Sequence, residues 1–109
     1  MSKQQTHIAQ VQKEYHITEN QLNRIKNLMD FARKQLKCGA DYDSCMFERD
    51  MLAIVKNPEY QYMYDHHMVT DIAEAFAQDY RWEEVFFTLY KDDITLKSTI
   101  DKLLEEHRI

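Results

Sequence analysis

The stretch of sequence that decides the fold is residues 17–39, ITENQLNRIKNLMDFARKQLKCG. It opens with a capping box, because the side chains of Thr18 and Gln21 can each satisfy a backbone group at a helix start. Gly39 supplies a residue that tolerates the left-handed backbone at a helix end. The pattern predicts an amphipathic helix over 18–38 that needs neighbours to cover its apolar face. The side chains of that face are Leu22, Ile25, Leu28, Met29, Ala32 and Leu36.

Weaker signals of the same kind predict helices on both sides of this one. Residues 1–16 are polar with a thin apolar stripe, which indicates an arm or a frayed helix. Asn57-Pro58 ends the helix that follows Gly39, because the residue before a proline disfavours helical geometry. The helix after Gly39 is predicted to be capped by Asp43 or Ser44 and to run to about Lys56. The later predicted helices are 59–78 with a break near His66-His67, one capped by Asp79 that carries Trp82 and Tyr90, and 95–108 capped by Asp93 or Thr95.

Composition supports a helical protein and argues against other classes. The 109 residues include one Gly and one Pro, far fewer than turn-rich all-β, collagen-like or linker sequences contain. We therefore predict an all-α fold, a compact bundle of four to five short helices forming a single domain over 17–109. A weakly ordered N-terminal helix or arm at 1–16 precedes it. No apolar run has the length of a membrane span and no signal peptide is visible, so the expected localisation is cytoplasmic.

Charge is distributed unevenly along the chain, whose formal net charge is -5. Residues 19–37 hold five basic and two acidic side chains (+3), whereas residues 38–109 hold seven basic and sixteen acidic ones (−9). Basic side chains on a helix can contact phosphates, but a nucleic-acid-binding domain usually has a basic isoelectric point. Nucleic acid is therefore not the partner expected. The basic face of the first predicted helix comprises Arg24, Lys26, Arg33, Lys34 and Lys37.

Acidic and aromatic side chains give the candidate protein-binding residues. The acidic ones form two groups, Asp41, Asp43, Glu48 and Asp50 in the first, and Glu83, Glu84, Asp92 and Asp93 in the second. Tyr60, Tyr62 and Tyr64 could not all reach one core from a helix, although they could pack under the preceding loop. Phe87 belongs to a run with more aromatics than one helix face can hold. We expect these aromatic residues at a contact with another protein or with a second copy of the chain.

Two groups of side chains could carry chemistry, and both also have a simpler interpretation. Asp71 is four residues after His67 and can pair with it on one helix face, beside His66. This arrangement suits acid–base catalysis, but no nucleophile motif, phosphate-binding glycine loop or HExxH motif accompanies it. Cys38 and Cys45 are too far apart for a zinc knuckle. We therefore expect solvated or capping histidines, reduced thiols, and no enzyme activity, metal or cofactor.

Three runs of the sequence together resemble a known family. The runs are HITENQLNRIKNLMDFARKQL, DYDSCMFERDMLAIV and DIAEAFAQDYRWEEVFFTLYK. In this order they are similar to the YhaI-like family of small, uncharacterised, all-helical Firmicute proteins. The resemblance covers about residues 16–91 and implies a helical fold and a bacterial origin. It transfers no functional residue, and the chain departs from it in the polar N-terminal arm and the helix at 95–108.

These observations lead to one main functional hypothesis and two alternatives. The main one is a small non-enzymatic protein-binding module, a bacterial or phage regulatory or inhibitor protein of the immunity, host-takeover or anti-defence type. Its acidic, aromatic-bearing surface would bind another protein, for instance in the basic groove of a nucleic-acid-handling enzyme. The first alternative is a helical DNA-binding regulator that uses the basic helix 18–38. The second is a metal or acid–base enzyme around His66, His67 and Asp71.

Overall fold

The computed structural model describes residues 6–56, 59 and 65–107, and this part of the chain is helical, without a β-strand. The six α-helices of the described residues are α1 (His7–Glu14), α2 (Glu19–Lys37), α3 (Ser44–Ile54), α4 (His66–Gln78), α5 (Glu83–Tyr90) and α6 (Lys97–Glu106). A 3-10 turn at Ile94–Leu96 leads into α6. The predicted all-α fold class is confirmed. None of the described helices combines the length and apolar character that crossing a membrane requires.

Helix α2 begins and ends where the sequence signals place it. The backbone N–H of Gln21 donates to the Thr18 hydroxyl at 3.1 Å, and the backbone N–H of Thr18 donates to the Gln21 side chain at 2.9 Å. This is the complete capping box, which satisfies two backbone donors at the helix start. Gly39 follows the helix with a φ of 77°, a left-handed conformation that glycine adopts without steric cost.

The side chains of two aspartates cap the starts of the next two helices. The carboxylate of Asp43 accepts from the backbone N–H of Met46 at 3.0 Å and caps α3. Asp65 caps α4 in an extended conformation, so the segment predicted as a helix over 59–78 is interrupted there, next to the expected break at His66-His67. Residues 60–64 of that predicted helix, and the Asn57-Pro58 pair predicted to end the helix before it, lie outside the described residues.

The core of the described residues is built around α4, whose side chains are buried on nearly every side. A helix that is apolar all round must be covered by other elements, and α4 contacts α1, α3 and α5. Helix α2 packs against α3 and α5 and contributes the apolar face predicted for it. The buried residues of α4 are Met68, Val69, Thr70, Ile72, Ala73, Ala75, Phe76 and Ala77.

Asp79 has a different role from the one its sequence position suggests. The sequence predicts that it caps the helix that follows, but it ends α4, and its carboxylate reaches the start of α1. Oδ1 accepts from the backbone N–H of His7 at 3.1 Å, and Oδ2 accepts from that of Ile8 at 3.0 Å. Burial raises the pKa of Asp79, but these bonds and the His7 ring outweigh it and hold that pKa below its ordinary value. Asp79 thus docks the N-terminal helix.

Trp82 occupies the start of α5 in place of Asp79. It has a left-handed backbone with a φ of 50°, and its side chain makes no capping hydrogen bond there. The indole N–H instead donates to Asp30 of α2 at 2.9 Å, and the Arg81 guanidinium lies 4.6 Å from the centre of the indole ring. The uncommon backbone conformation is therefore held by contacts with another helix.

We predict that Asp79→Ala detaches α1 from the rest of the protein. The substitution removes the acceptor for two backbone N–H groups at a helix start, which typically costs about 1–2 kcal/mol. Chemical denaturation should show this loss, and hydrogen exchange should show faster exchange of the amides of α1 than of α4. Asp101→Ala, at an exposed position of α6, is the control and should leave both unchanged. Wild-type exchange rates in α1 of the Asp79 variant would contradict the docking role.

Candidate protein-binding groove

A groove of about 540 Å³ lies between the C-terminal end of α2, the start of α3 and the segment that follows α5. Its apolar part comes from Leu36 and Leu89, which are half-buried against the core. Its charged part holds three carboxylates and one ammonium group. The complete lining is Leu36, Tyr42, Asp43, Ser44, Thr88, Leu89, Tyr90, Lys91, Asp92 and Asp93.

The groove brings together parts of the two acidic groups found in the sequence. Asp43 comes from the first group, and Asp92 and Asp93 come from the second, almost fifty positions along the chain. Two of these carboxylates are fixed by local bonds, since Asp43 caps α3 and Asp93 accepts from the backbone N–H of Thr95 at 2.9 Å. The fold therefore concentrates negative charge around an apolar floor.

The other acidic candidates lie elsewhere. Asp41 is exposed in the loop between α2 and α3, and Asp50 accepts from the Tyr42 hydroxyl at 3.2 Å. Glu83 and Glu84 line a second pocket, of about 330 Å³, at the opposite end of α5. Glu83 also bonds to His107 at the end of α6. These residues do not join the groove. The remaining residues of the second pocket are Asp30, Arg33, Tyr80, Arg81 and Trp82.

Glu48 is the centre of a hydrogen-bonded cluster next to the groove. The Nδ1 atom of His66 lies 2.9 Å from both carboxylate oxygens of Glu48, and the Tyr90 hydroxyl donates to Oε2 at 2.8 Å. The His66 Nε2 atom lies 3.8 Å from Oδ2 of Asp93. The cluster joins the start of α4 to α3 and to the segment after α5, so it fixes one wall of the groove.

The cluster changes the ionisation of its members in directions that follow from its contacts. The hydrogen bond to Glu48 outweighs partial burial and raises the pKa of His66, and the charges of Glu48, Asp93 and Asp65 act in the same direction. Burial and the neighbouring Glu48 carboxylate raise the pKa of the Tyr90 hydroxyl. The bond from the Thr95 hydroxyl lowers the pKa of Asp93, so this carboxylate stays charged on the groove wall.

Phe87 is the one aromatic candidate that falls within the described residues. Its ring is half-buried against the core beside Phe86, so part of it stays accessible, and its role at a protein contact stays a prediction. Tyr60, Tyr62 and Tyr64 lie outside the described residues. The exposed large apolar side chains of the described residues are Phe31, Tyr80, Ile94 and Leu104. Phe31 could have been found, because it lies off the apolar stripe of α2.

The predicted basic face of α2 separates into three environments. Arg33 forms an ion pair with Asp30 at 3.1 Å, and Lys26 is half-buried. The side chains of Arg24, Lys34 and Lys37 are exposed, and none of them forms an ion pair with another described residue. Part of the helix surface therefore carries positive charge that no carboxylate of the described residues pairs with.

The pairing of His67 with Asp71, on which the enzyme alternative depends, does not form. Asp71 accepts from the Tyr15 hydroxyl of the segment after α1, at 2.6 Å, and His67 contacts the ring of His66 instead. Helix α1 docks on the face of α4 that holds Asp71, and this contact could not be read from local spacing. Cys38 and Cys45 are exposed and form no disulfide. In the described part of the chain, no three His, Cys, Asp or Glu residues are grouped so that they could hold a metal ion.

We predict that the imidazole of His66 titrates above the ordinary histidine pKa of about 6.5 and that Glu48→Gln lowers this value. A raised pKa in the folded state adds stability that is complete below the ordinary value and is lost as pH rises through the raised value. NMR titration of the His66 ring should show the shift, with His66→Asn used to assign the signal. Asp93→Asn should give a smaller change because its carboxylate is farther away. Identical titration in wild type and Glu48→Gln would contradict the cluster.

Comparison with known proteins assigns no function to the groove. No family model, curated protein or solved structure matches the chain. The resemblance to the YhaI-like family therefore stays a prediction, and the function has to be argued from the groove, its charges and the cluster that supports it.

Proposed function

We propose that this protein is a small non-enzymatic protein-binding module whose groove binds a cationic, apolar-bearing segment of a partner. The observation that carries the proposal is the placement of Asp43, Asp92 and Asp93 around the apolar side chains of Leu36 and Leu89. Carboxylates above an apolar floor are complementary to a segment with Lys or Arg beside Leu or an aromatic residue.

The size of the groove supports this proposal. Binding sites for small groups occupy about 300–1,000 Å³, and about 540 Å³ is sufficient for one or two large side chains of a partner segment. Three carboxylates against the one ammonium group of Lys91 give the groove a net charge of −2. This potential would increase the rate of encounter with a basic surface.

The groove is also organised before a partner arrives. Asp43 and Asp93 are held by bonds to backbone N–H groups, and Tyr42 is held by its bond to Asp50. Side chains already fixed in place lose less conformational freedom on binding. A regulatory or inhibitor protein of bacterial or phage type could use such a surface to cover a basic site on its target, including the site of a nucleic-acid-handling enzyme.

One observation supports the alternative of a DNA-binding regulator. Arg24, Lys34 and Lys37 are exposed without an ion-pair partner among the described residues, so α2 could contact phosphates. The overall charge of −5 opposes this function, because the field of the whole molecule repels a polyanion. The two functions differ in the charge of the ligand, and one experiment can distinguish them.

We predict that the protein binds a synthetic amphipathic helix of Lys and Leu, and that Asp92→Lys weakens this binding. Reversal of one exposed charge in the groove should cost about fivefold in affinity, in the range of a single surface ion pair. Isothermal titration calorimetry of the folded protein should measure the difference. Asp92 is suited to the test because it is exposed and caps no helix.

The controls distinguish charge complementarity from nonspecific binding. A Glu and Leu peptide with the same pattern should not bind, and Asp101→Lys on α6 should bind the Lys and Leu peptide as wild type does. The affinity should fall as salt screens the charges. Binding of both peptides alike, or of neither, would refute the proposal. Binding of a DNA duplex that Lys34→Glu abolishes would establish the alternative instead.

A further inference from the structure

The outer surface of α2 carries a second feature, a cationic stripe with an exposed aromatic ring at its centre. The stripe consists of Arg24, Asn27, Phe31 and Lys34, which follow one another at intervals of three and four residues and so share one face of the helix. The side chains of Arg24 and Lys34 are exposed, and Phe31 is 46% exposed. Aromatic residues and arginine are enriched at protein interfaces.

The α2 stripe has the chemistry that the groove requires of its ligand. It is a helix face with two basic side chains that form no ion pair with another described residue, and it presents one large apolar side chain between them. The groove offers three carboxylates around an apolar floor. The two surfaces are therefore complementary in charge and in polarity, although they belong to the same molecule.

The stripe and the groove are also next to each other. The ring of Phe31 lies edge-on to the ring of Tyr42, with 5.7 Å between their centres, and Tyr42 lines the groove. Leu36, near the end of α2, lines it as well. A helix cannot fold back onto a groove that its own end forms, so one chain cannot place its stripe in its own groove. A second copy can.

We propose that two copies of this chain form a symmetric dimer in which the α2 stripe of each copy occupies the groove of the other. A two-fold axis near Tyr42 would allow both contacts to form together, because in such an interface each surface meets its complement on the partner. The inference rests on the proposed function, since it names the ligand that fills the groove in the isolated protein.

The dimer has a consequence for the binding of other proteins. The groove is covered in the dimer and open in the monomer, so a partner segment has to compete with the stripe of the second copy. Because the partner segment binds only the monomer, its apparent affinity falls as the protein concentration rises and more of the protein is dimeric. Self-association would in this way regulate access to the groove.

Charge reversal in the full chain tests the dimer. Wild type should sediment in analytical ultracentrifugation with twice the mass of one chain, and high salt should dissociate it. Lys34→Glu and Asp92→Lys should each weaken the dimer by about 25-fold, because a fivefold effect acts twice in a symmetric interface. Mixing the two variants should restore the dimer. The glutamate introduced into the stripe of one chain then faces the lysine introduced into the groove of the other, while the native charges pair across the second contact.

The exposed pair Lys102→Glu and Asp101→Lys on α6 is the matched control and should leave the mass unchanged. Circular dichroism should show native helix content in all variants. A monomeric wild type, or a dimer that neither groove nor stripe reversal weakens, would overturn the inference. Failure of the mixed variants to associate would do the same.

The same variants separate this inference from the proposed function. Lys34→Glu leaves the groove intact but removes its competitor, so it should bind the Lys and Leu peptide more tightly than wild type does. If wild type is monomeric and still binds the peptide, the dimer is wrong and the proposed function stands. If the monomeric Lys34→Glu variant binds no peptide, the proposed function is wrong whatever the mass of the wild type.

Discussion

The burial of α4 is the constraint on which the rest of the structure depends. Eight of its thirteen residues are buried, and they point in nearly every direction around the helix axis. Exposing such a helix to water would cost roughly 1.5–3 kcal/mol for each large apolar side chain, so α1, α3 and α5 have to surround it. Short connections join α2 to α3 and α4 to α5. The groove lies where the ends of α2 and α5 meet the start of α3.

Histidine–carboxylate contacts join helices to one another outside the apolar core. His7 lies beside Asp79 at the junction of α1 and α4, His66 beside Glu48 at that of α4 and α3, and His107 beside Glu83 at that of α6 and α5. The partners of each pair are 18 to 72 residues apart in sequence. In the pair with Glu48, the raised pKa of His66 favours the protonated imidazole, which reduces the repulsion between the nearby carboxylates of Glu48 and Asp93.

Local signals in the sequence were sufficient for the helices but not for their mutual contacts. Thr18, Gln21 and Gly39 set the limits of α2 through interactions within four residues, so spacing alone predicts them. Asp79 is a residue whose contacts local spacing does not predict. Its position before an aromatic run fits a cap for α5, and only the docking of α1 shows that its carboxylate serves a helix more than seventy positions away. The same holds for Asp71, whose partner is Tyr15 and not the nearby His67.

The sequence indicates which residue types belong to the candidate site, but it does not indicate which of them the fold brings together in one groove. The sequence separates the acidic residues into two groups, and folding places Asp43 with Asp92 and Asp93 while it sends Glu83 and Glu84 to the other end of α5. Asp43 and Asp93 are helix and turn caps, so their carboxylates would be needed for folding even without a ligand. Capping leaves part of each carboxylate able to accept from a partner, since each has two oxygens with two acceptor sites apiece. The carboxylates of Asp43 and Asp93 are therefore held in place by the fold, whereas Asp92 caps no helix and can be replaced to test the groove without removing a cap.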